Sequence, residues 1–386
     1  MPEIWLPYGD VEVAVDIRAE NLGEILKPNL PLLDQEAIVQ QFSELPFSED
    51  LVILLADGGK PVHKVLQILL DVAKNKASTP TLTVITSPRD YSSTKSLCGS
   101  LGANVVKAEG LFEFGTADGL PVLLPKEFSQ HHSRIVLSSV GFDPLFGFTG
   151  GPVSIIKTFS QNMLPKAFKD ASLSLPTPGS LTEAHDFAMR VGECLSNTHS
   201  VEVTSSVSDV SAVHVGSLQD AHEKASKTLL SACSHLLNDA ARAVVATPGG
   251  GDADSTLASS LTCLWNVADA VREKGIVALI AECSHGLGSR ALERYVSGRL
   301  KVEDALKEGG YVEGLEDLVY LLNLQQHKRL VLVSTLPHYY AENILGFQVS
   351  SKVDDALSYV LSNLGSRAKV LIAPQGTRTL LQLRRE

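Results

Sequence analysis

Short apolar runs alternate with amphipathic stretches along most of this 386-residue chain. Residues 51–55, 82–85 and 135–139 are rich in leucine and β-branched side chains, and each run is followed by a glycine-rich or polar turn. The same alternation returns after residue 238, with predicted strands at 243–246, 276–281, 330–334 and 370–373. Strands that alternate with helices predict an α/β fold with mainly parallel sheets and helices on both faces.

The length of the chain favours two domains. We predict an N-terminal α/β domain over residues 1–238 and a C-terminal α/β domain over residues 239–386. A hairpin is predicted at the start of the chain, around Gly9 and Asp10, and a loop or flap in the proline-rich run 169–179. Ligands of open parallel sheets bind beyond the carboxyl ends of the strands. Two such domains facing each other along these edges would enclose one cleft.

Composition narrows the classes of partner. Hydrophobic residues make up 44% and charged residues 20% of the chain, as is typical of a globular protein, and the net charge of −11 argues against nucleic acid and against an anionic membrane surface. No apolar run approaches the roughly 18 residues of a membrane span, and no signal peptide is recognised, so we expect a cytoplasmic protein. The five cysteines form no C-x-x-C pair, so neither a disulfide framework nor a zinc site is predicted.

The glycine-rich stretch 140–156, VGFDPLFGFTGGPVSII, is the first candidate for chemistry. It follows a predicted strand and leads into a predicted helix at Pro152. Gly147, Gly150 and Gly151 suit positive φ or a close backbone approach, and the free N–H groups of a helix start can bind a carboxylate or phosphate. Glycines of this kind also serve simply to let a strand and a helix pack closely, and both interpretations stay open. The spacing is neither a dinucleotide nor a Walker motif.

Charged residues follow two other predicted strands of the first half. Lys60, in DGGKP, can bind a substrate carboxylate, while Asp57 can cap the helix or orient the lysine. Arg89 follows the next strand and can hold an anion. Both groups are equally compatible with solvated surface turns.

The second half offers a further glycine-rich loop and a histidine. The run PGGGDAD places Gly250 where a backbone can approach a ligand and Asp254 just before a predicted helix. Nothing completes a metal-ligand set there, so no metal site is predicted. His285, in ECSHGLG, is the best titratable candidate for a cleft, and His338 is the next. A structural role for each histidine remains the alternative.

Taken in order, the segments LPYG, DGGKPV, GFTGGPVSII, GGGDAD, ECSHGLG and APQG resemble the nickel-pincer lactate racemase family, whose loop reads GFSGG-x-K-x-x-LPG. The resemblance covers nearly the whole chain. It implies two α/β domains, a small 2-hydroxy acid or related carboxylate as ligand, and, in the family, a nickel-pincer nucleotide as cofactor.

The chain departs from this family at four functional positions. The lysine that tethers the cofactor is replaced by Val153, and the nickel-binding histidine by Lys169 on ungapped counting. The two acid/base histidines correspond to Arg89, which does not deprotonate near neutral pH, and to Asp143. We therefore expect no nickel-pincer cofactor, unless Lys157, one helical turn after Val153, replaces the tether.

Three functions are compatible with these residues. The first is a divergent family member that binds a small carboxylate without pincer chemistry. The second is a 2-hydroxy-acid racemase or epimerase, with Asp143 and His285 as candidate catalytic groups. The third is a non-catalytic protein that pairs with an active homologue, and a homo-oligomer is also left open.

Overall fold

The computed structural model describes residues 3–76, 80–131, 133–170, 176–206, 208–308, 310–365 and 367–384. The strands are β1 (Glu3–Tyr8), β2 (Val11–Asp16), β3 (Leu22–Ile25), β4 (Asp50–Leu55), β5 (Thr81–Thr86), β6 (Asn104–Lys107), β7 (Leu111–Ala117), β8 (Leu120–Pro125), β9 (Ser133–Val140), β10 (Phe142–Asp143), β11 (Gly147–Phe148), β12 (Thr198–Ser205), β13 (Val210–Ser217), β14 (Ser234–Leu237), β15 (Ala241–Ala246), β16 (Val271–Ile280), β17 (Arg329–Val333), β18 (Gln348–Val349), β19 (Val370–Ala373) and β20 (Leu380–Leu383). The helices are α1 (Gln35–Gln41), α2 (Lys60–Lys76), α3 (Tyr91–Gly99), α4 (Lys126–Ser129), α5 (Gly151–Thr158), α6 (Leu164–Asp170), α7 (Glu183–Glu193), α8 (Leu218–Cys233), α9 (Leu257–Ala268), α10 (Arg290–Val296), α11 (Val302–Glu308), α12 (Leu315–His327) and α13 (Val353–Leu364).

The first sheet has six strands within the described residues, in the order β13-β12-β9-β4-β5-β6, and only β13 runs antiparallel to its neighbour. Successive side chains of a strand point to opposite faces. Leu51 and Ile53 of β4 therefore pack with α1 and α2, whereas Val52 and Leu54 pack with α5 and α7. Burial on both faces explains why β4 is an unbroken apolar run.

The second sheet is parallel at every pairing in the described ranges, with the order β18-β17-β16-β15-β19-β3. Apolar residues of α9 and α12 cover one face, and those of α13 and the β1–β2 hairpin cover the other. The prediction of an α/β fold with mainly parallel sheets is confirmed. No helix among the residues described is long and apolar enough to cross a membrane.

The start of the chain is built onto the second sheet. β3 pairs with β19, with Leu22 opposite Val370, and Ile4 and Leu6 of the predicted hairpin are buried in the apolar cluster of that sheet. The division of the chain at residue 238 stays a prediction, but the first three strands of its N-terminal part pack or pair with elements of residues 239–384. Burial of the apolar hairpin face against the second sheet accounts for this placement.

Two other predicted elements differ from the observed ones. The sequence pattern predicts one helix over residues 220–237, whereas α8 ends at Cys233 because the next four residues form β14 and pair with β20. The proline-rich run 169–179 was predicted to be a loop; Lys169 is the penultimate residue of α6, and residues 171–175 lie outside the described part of the chain.

Candidate functional site

A cavity of about 540 Å³ lies where the carboxyl ends of strands from both sheets come together. Loops that follow β4, β9, β15, β16 and β19 contribute to its lining, as does the turn of the β1–β2 hairpin. Among the predicted site residues, Asp57, Lys60, Gly250 and His285 line this cavity. The others lie elsewhere.

Arg378 is a lining residue that sequence reasoning did not single out. It ends a short 3₁₀ turn after β19, and its guanidinium reaches the first sheet, where Nη1 donates to the carbonyl of Val140 at 2.9 Å and Nη2 donates to Ser205 Oγ at 3.1 Å. Burial lowers the pKa of Arg378, and the Cys233 thiol and the Asp57 carboxylate oppose this shift. The half-buried guanidinium makes no ion pair with any carboxylate in the ranges described.

The wall on the side of the first sheet carries Asp57 and Lys60. Asp57 accepts hydrogen bonds from the Gly59 amide, at 3.0 Å, and from the Ser139 hydroxyl. Lys60 is the first residue of α2, and its exposed side chain lines the cavity without an ion pair to any described carboxylate. This wall therefore offers two cations, Lys60 and Arg378, and one carboxylate that already accepts two hydrogen bonds.

The opposite wall forms around Gly9, the turn residue of the hairpin. The Gly9 carbonyl accepts a hydrogen bond from the Gly251 amide at 3.0 Å, and a Cβ on Gly9 would overlap the carboxylate of Glu282. At Gly250, with φ of +82°, a Cβ would lie 2.9 Å from the Gly9 carbonyl oxygen. Glycine at position 250 thus allows the hairpin to approach. His285 lines the same cavity with an exposed side chain.

Asp254 has a structural position beneath this wall. Its side chain is fully buried and accepts from the amide of Gly9 at 2.6 Å and from the amide of Glu282 at 2.5 Å. Burial raises the pKa of the Asp254 carboxyl, and those two backbone hydrogen bonds oppose the rise. Asp254 fixes the hairpin to the end of β16 and does not line the cavity.

The candidate catalytic residue Asp143 also lies away from the cavity. Its Oδ1 accepts from the amides of Leu145 and Phe146 at 2.9 and 2.8 Å, and its Oδ2 pairs with Lys157 Nζ at 2.6 Å. Both oxygens of this buried carboxylate therefore already accept hydrogen bonds from protein groups. A catalytic role for Asp143 stays a prediction, and the cavity lining does not support it.

The glycine-rich loop packs against the protein interior. The Gly150 amide donates to Ser154 Oγ at 3.1 Å and the Gly151 amide to Ser138 Oγ at 2.9 Å, so neither is free for an anion. A Cβ on Gly147 would overlap the Ser180 carbonyl oxygen. These three glycines do not line the cavity, and neither does the exposed Arg89. Of the two interpretations that the sequence left open, close packing accounts for the geometry.

A buried polar cluster lies under this loop. A Cβ on Gly150 would lie 2.6 Å from Glu202 Oε2, the same oxygen that His222 Nδ1 approaches at 3.0 Å. The ring of His185 stacks on His222 with 5.5 Å between centroids, and burial is the main cause that lowers the pKa of His185. Glycine leaves room for these side chains beside the strand.

Comparison with solved structures shows which known fold the chain resembles. No protein-family model and no curated protein sequence matches the chain. Among solved structures, the lactate racemase apoprotein from Thermoanaerobacterium thermosaccharolyticum is similar over 100% of both chains, with a TM-score of 0.83 and 15% sequence identity. A protein from Thermotoga maritima is similar over 91% of this chain and 99% of its own, with a TM-score of 0.66 and 11% identity. The lactate racemase-like fold predicted from the motif order is confirmed.

Proposed function

We propose that this chain is a divergent relative of the lactate racemases that binds a small carboxylate, a 2-hydroxy acid or a related acid, in the 540 Å³ cavity. The observation that supports this most strongly is the guanidinium of Arg378. It lines the cavity and contacts only a carbonyl and a hydroxyl, Val140 O and Ser205 Oγ, within the described structure.

The Asp57 carboxylate stabilises the charge of Arg378 without forming an ion pair with it. A bound anion that pairs directly with the guanidinium offsets more of the cost of its burial. A planar guanidinium binds a carboxylate or a phosphate group through two parallel N–H···O hydrogen bonds. Lys60 adds a second positive charge to the same lining. The hydroxyls of Ser139 and Thr149 also line the cavity and suit a polar substituent of the acid.

The residues that would hold a nickel-pincer cofactor do not fit that group. Val153, at the position of the family's tether, is completely buried in the apolar cluster of α5 and α7. Lys157 is paired with Asp143, and Lys169 is exposed on α6. No group of three or more histidine, cysteine, aspartate or glutamate residues in the described ranges is arranged to hold a metal ion. We therefore derive no reaction step through the cofactor.

Isothermal titration with glycolate, lactate, malate and inorganic phosphate tests the proposal on the full chain, with a thermal melt as a second readout. Binding to the folded state stabilises it by about 2.7 kcal/mol at a ligand concentration 100 times Kd, so the melting temperature must rise. We expect at least one carboxylate to bind, and Arg378→Gln to weaken that binding by tenfold or more.

Arg299→Gln removes an exposed arginine outside the cavity and serves as the matched control. Because Arg378 also holds Val140 and Ser205, each variant is first checked for a cooperative melt. If Arg378→Gln does not fold, Lys60→Gln takes its place as the cavity variant. Absence of binding by every acid, or equal binding by wild type and a folded cavity variant, would refute the proposal.

A further inference from the structure

Glu282 is, with Arg378, a half-buried charged residue of the cavity that makes no ion pair with the described residues. It follows β16, its side chain is half-buried, and its carboxylate lies against Gly9. The backbone of Glu282 is well connected, since its amide donates to Asp254 and its carbonyl accepts from Thr335 at 2.9 Å. The carboxylate itself makes no ion pair or hydrogen bond with the described residues.

The two unpaired charges belong to different walls of one cavity. The guanidinium of Arg378 is hydrogen-bonded to the end of β9. Strand β9 pairs with β4, and the loop after β4 leads to Lys60, so Arg378 lies on the same wall as Lys60. Glu282 belongs to the wall around Gly9, which also carries the exposed carboxylates of Asp10 and Asp252. Arg378 and Glu282 are not paired with each other. The lining therefore has a cationic side and an anionic side.

Carboxylates at this wall also act on the neighbouring Tyr8. The pKa of Tyr8, beside Gly9, is raised to about 12, first by burial and then by the negative charges of Asp254 and Glu282. A negative potential at this wall favours a cation. A plain hydroxy acid can offset the charge of Arg378, but it leaves Glu282 partly desolvated and unpaired.

We infer that the ligand is a small amino acid, whose carboxylate lies against Arg378 and Lys60 and whose ammonium group lies against Glu282. This inference rests on the proposed carboxylate-binding function and specifies its ligand class. A zwitterion places one opposite charge beside each of the two half-buried charges, Arg378 and Glu282. Selectivity then follows from electrostatic complementarity, because a ligand without the ammonium leaves the Glu282 carboxylate unpaired.

Matched ligand pairs that differ only in the amino group test this inference by isothermal titration on the full chain. The pairs are alanine with lactate and 4-aminobutyrate with 4-hydroxybutyrate, and they differ in the distance between the two charged ends. We expect the amino acid of at least one pair to bind tenfold or more tighter than its hydroxy partner. Glu282→Gln keeps the shape of the side chain and removes its charge, so we expect it to reduce that ratio to within twofold.

Glu342→Gln removes an exposed carboxylate outside the cavity and must keep the tenfold ratio. Hydroxy acids that bind as tightly as both amino acids, or an unchanged ratio in Glu282→Gln, would overturn the inference and leave the proposed function standing. If none of the amino or hydroxy acids binds, the proposed function and this inference both fail.

Discussion

Gly147 illustrates how a single residue can suggest a ligand site and serve packing instead. Its φ is +81°, in the left-handed region, and a Cβ would overlap the carbonyl oxygen of Ser180. The amide of Gly179 donates to the Gly147 carbonyl at 2.8 Å, so the backbone segment 179–180 passes directly against this loop. Close approach of two backbones, rather than approach to a ligand, explains the glycine.

Gly147→Ala is therefore expected to destabilise the protein strongly. The strained φ and the overlap with Ser180 together cost roughly 3–5 kcal/mol in the free energy of unfolding. Gly119→Ala is the matched control, because its φ is +79° and nothing lies within 4 Å of a Cβ there. It should cost only about 1–2 kcal/mol. Urea denaturation measures both values, and equal costs for the two variants would contradict the packing explanation.

Helix α5 carries the position at which the resemblance places the family's tether lysine. Val153, Ile155 and Ile156 are completely buried in it, and the one lysine of the helix, Lys157, is paired with Asp143 at 2.6 Å. That pair and the nearby Glu316 raise the pKa of Lys157, although burial acts in the opposite direction. A lysine that is held protonated is a poor nucleophile. We therefore expect Lys157 not to form a covalent tether.

Co-expression with the enzymes that make the cofactor tests whether a lysine of α5 can tether it. We expect the wild-type chain to keep the mass calculated from its sequence and to contain no stoichiometric nickel. Intact-mass spectrometry and metal analysis supply the two measurements. An added mass on any lysine of the wild type would contradict our account of the helix.

Val153→Lys restores the residue type of the tether at its expected position. Because the site lies within an apolar cluster, an ammonium there should lower the free energy of unfolding by roughly 3 kcal/mol or more. Val39→Lys, on the exposed surface of α1, is the matched control and should have little effect. A Val153→Lys protein as stable as the wild type would show that this side chain can leave the core.

On the scale of the whole molecule, a buried charge cluster joins the two halves of the chain. Lys157 and Asp143 belong to elements beside the first sheet, whereas Glu316 and Asp317 begin α12 beside the second. Tyr311 donates its hydroxyl to Glu316 at 2.8 Å, and the Trp265 indole N–H donates to Asp317 at 2.9 Å. One lysine thus faces three carboxylates.

This excess of carboxylates predicts a dependence of stability on pH. Burial, followed by the charge of Glu316, raises the pKa of Asp317 to about 7, although Trp265 and Lys157 act against the shift. A carboxyl whose pKa is higher in the folded state stabilises the fold while it is protonated. That contribution is lost as the pH rises from about 4, near the pKa in the unfolded chain, to about 7.

Asp317→Asn should flatten this dependence, because the amide does not titrate and still accepts from Trp265. The substitution can change the slope of the free energy of unfolding against pH by at most ~1.4 kcal/mol per pH unit. Urea denaturation of wild type and variant at pH 5, 6 and 7 measures it. Glu313→Gln removes an exposed carboxylate three residues before Glu316, and this control should keep the wild-type slope. Parallel curves for wild type and Asp317→Asn would contradict the assigned pKa.

Long-range contacts explain what sequence reasoning could not find in the site. Arg378 meets Val140 across 238 residues of sequence, and Gly9 meets Asp254 across 245. Nothing in the local pattern APQGTR distinguishes Arg378 from a solvated arginine. The strand-end rule did place its loop at the correct sheet edge, and that was the signal from which it could have been proposed.

Buried strands and amphipathic helices each have a local hydrophobic periodicity that can be recognised in the sequence. The sequence alone therefore determined the α/β class, the parallel sheets and the sheet edge at which several loops meet. Side-chain partners were decided only by tertiary structure. Asp143 is paired with Lys157, Asp254 accepts from two amides, and the amides of Gly150 and Gly151 donate to serine hydroxyls. Arg378 and Glu282 line the cavity without an ion pair. Burial leaves a periodic trace along the chain, whereas the pairing of charges depends on residues that only folding brings together.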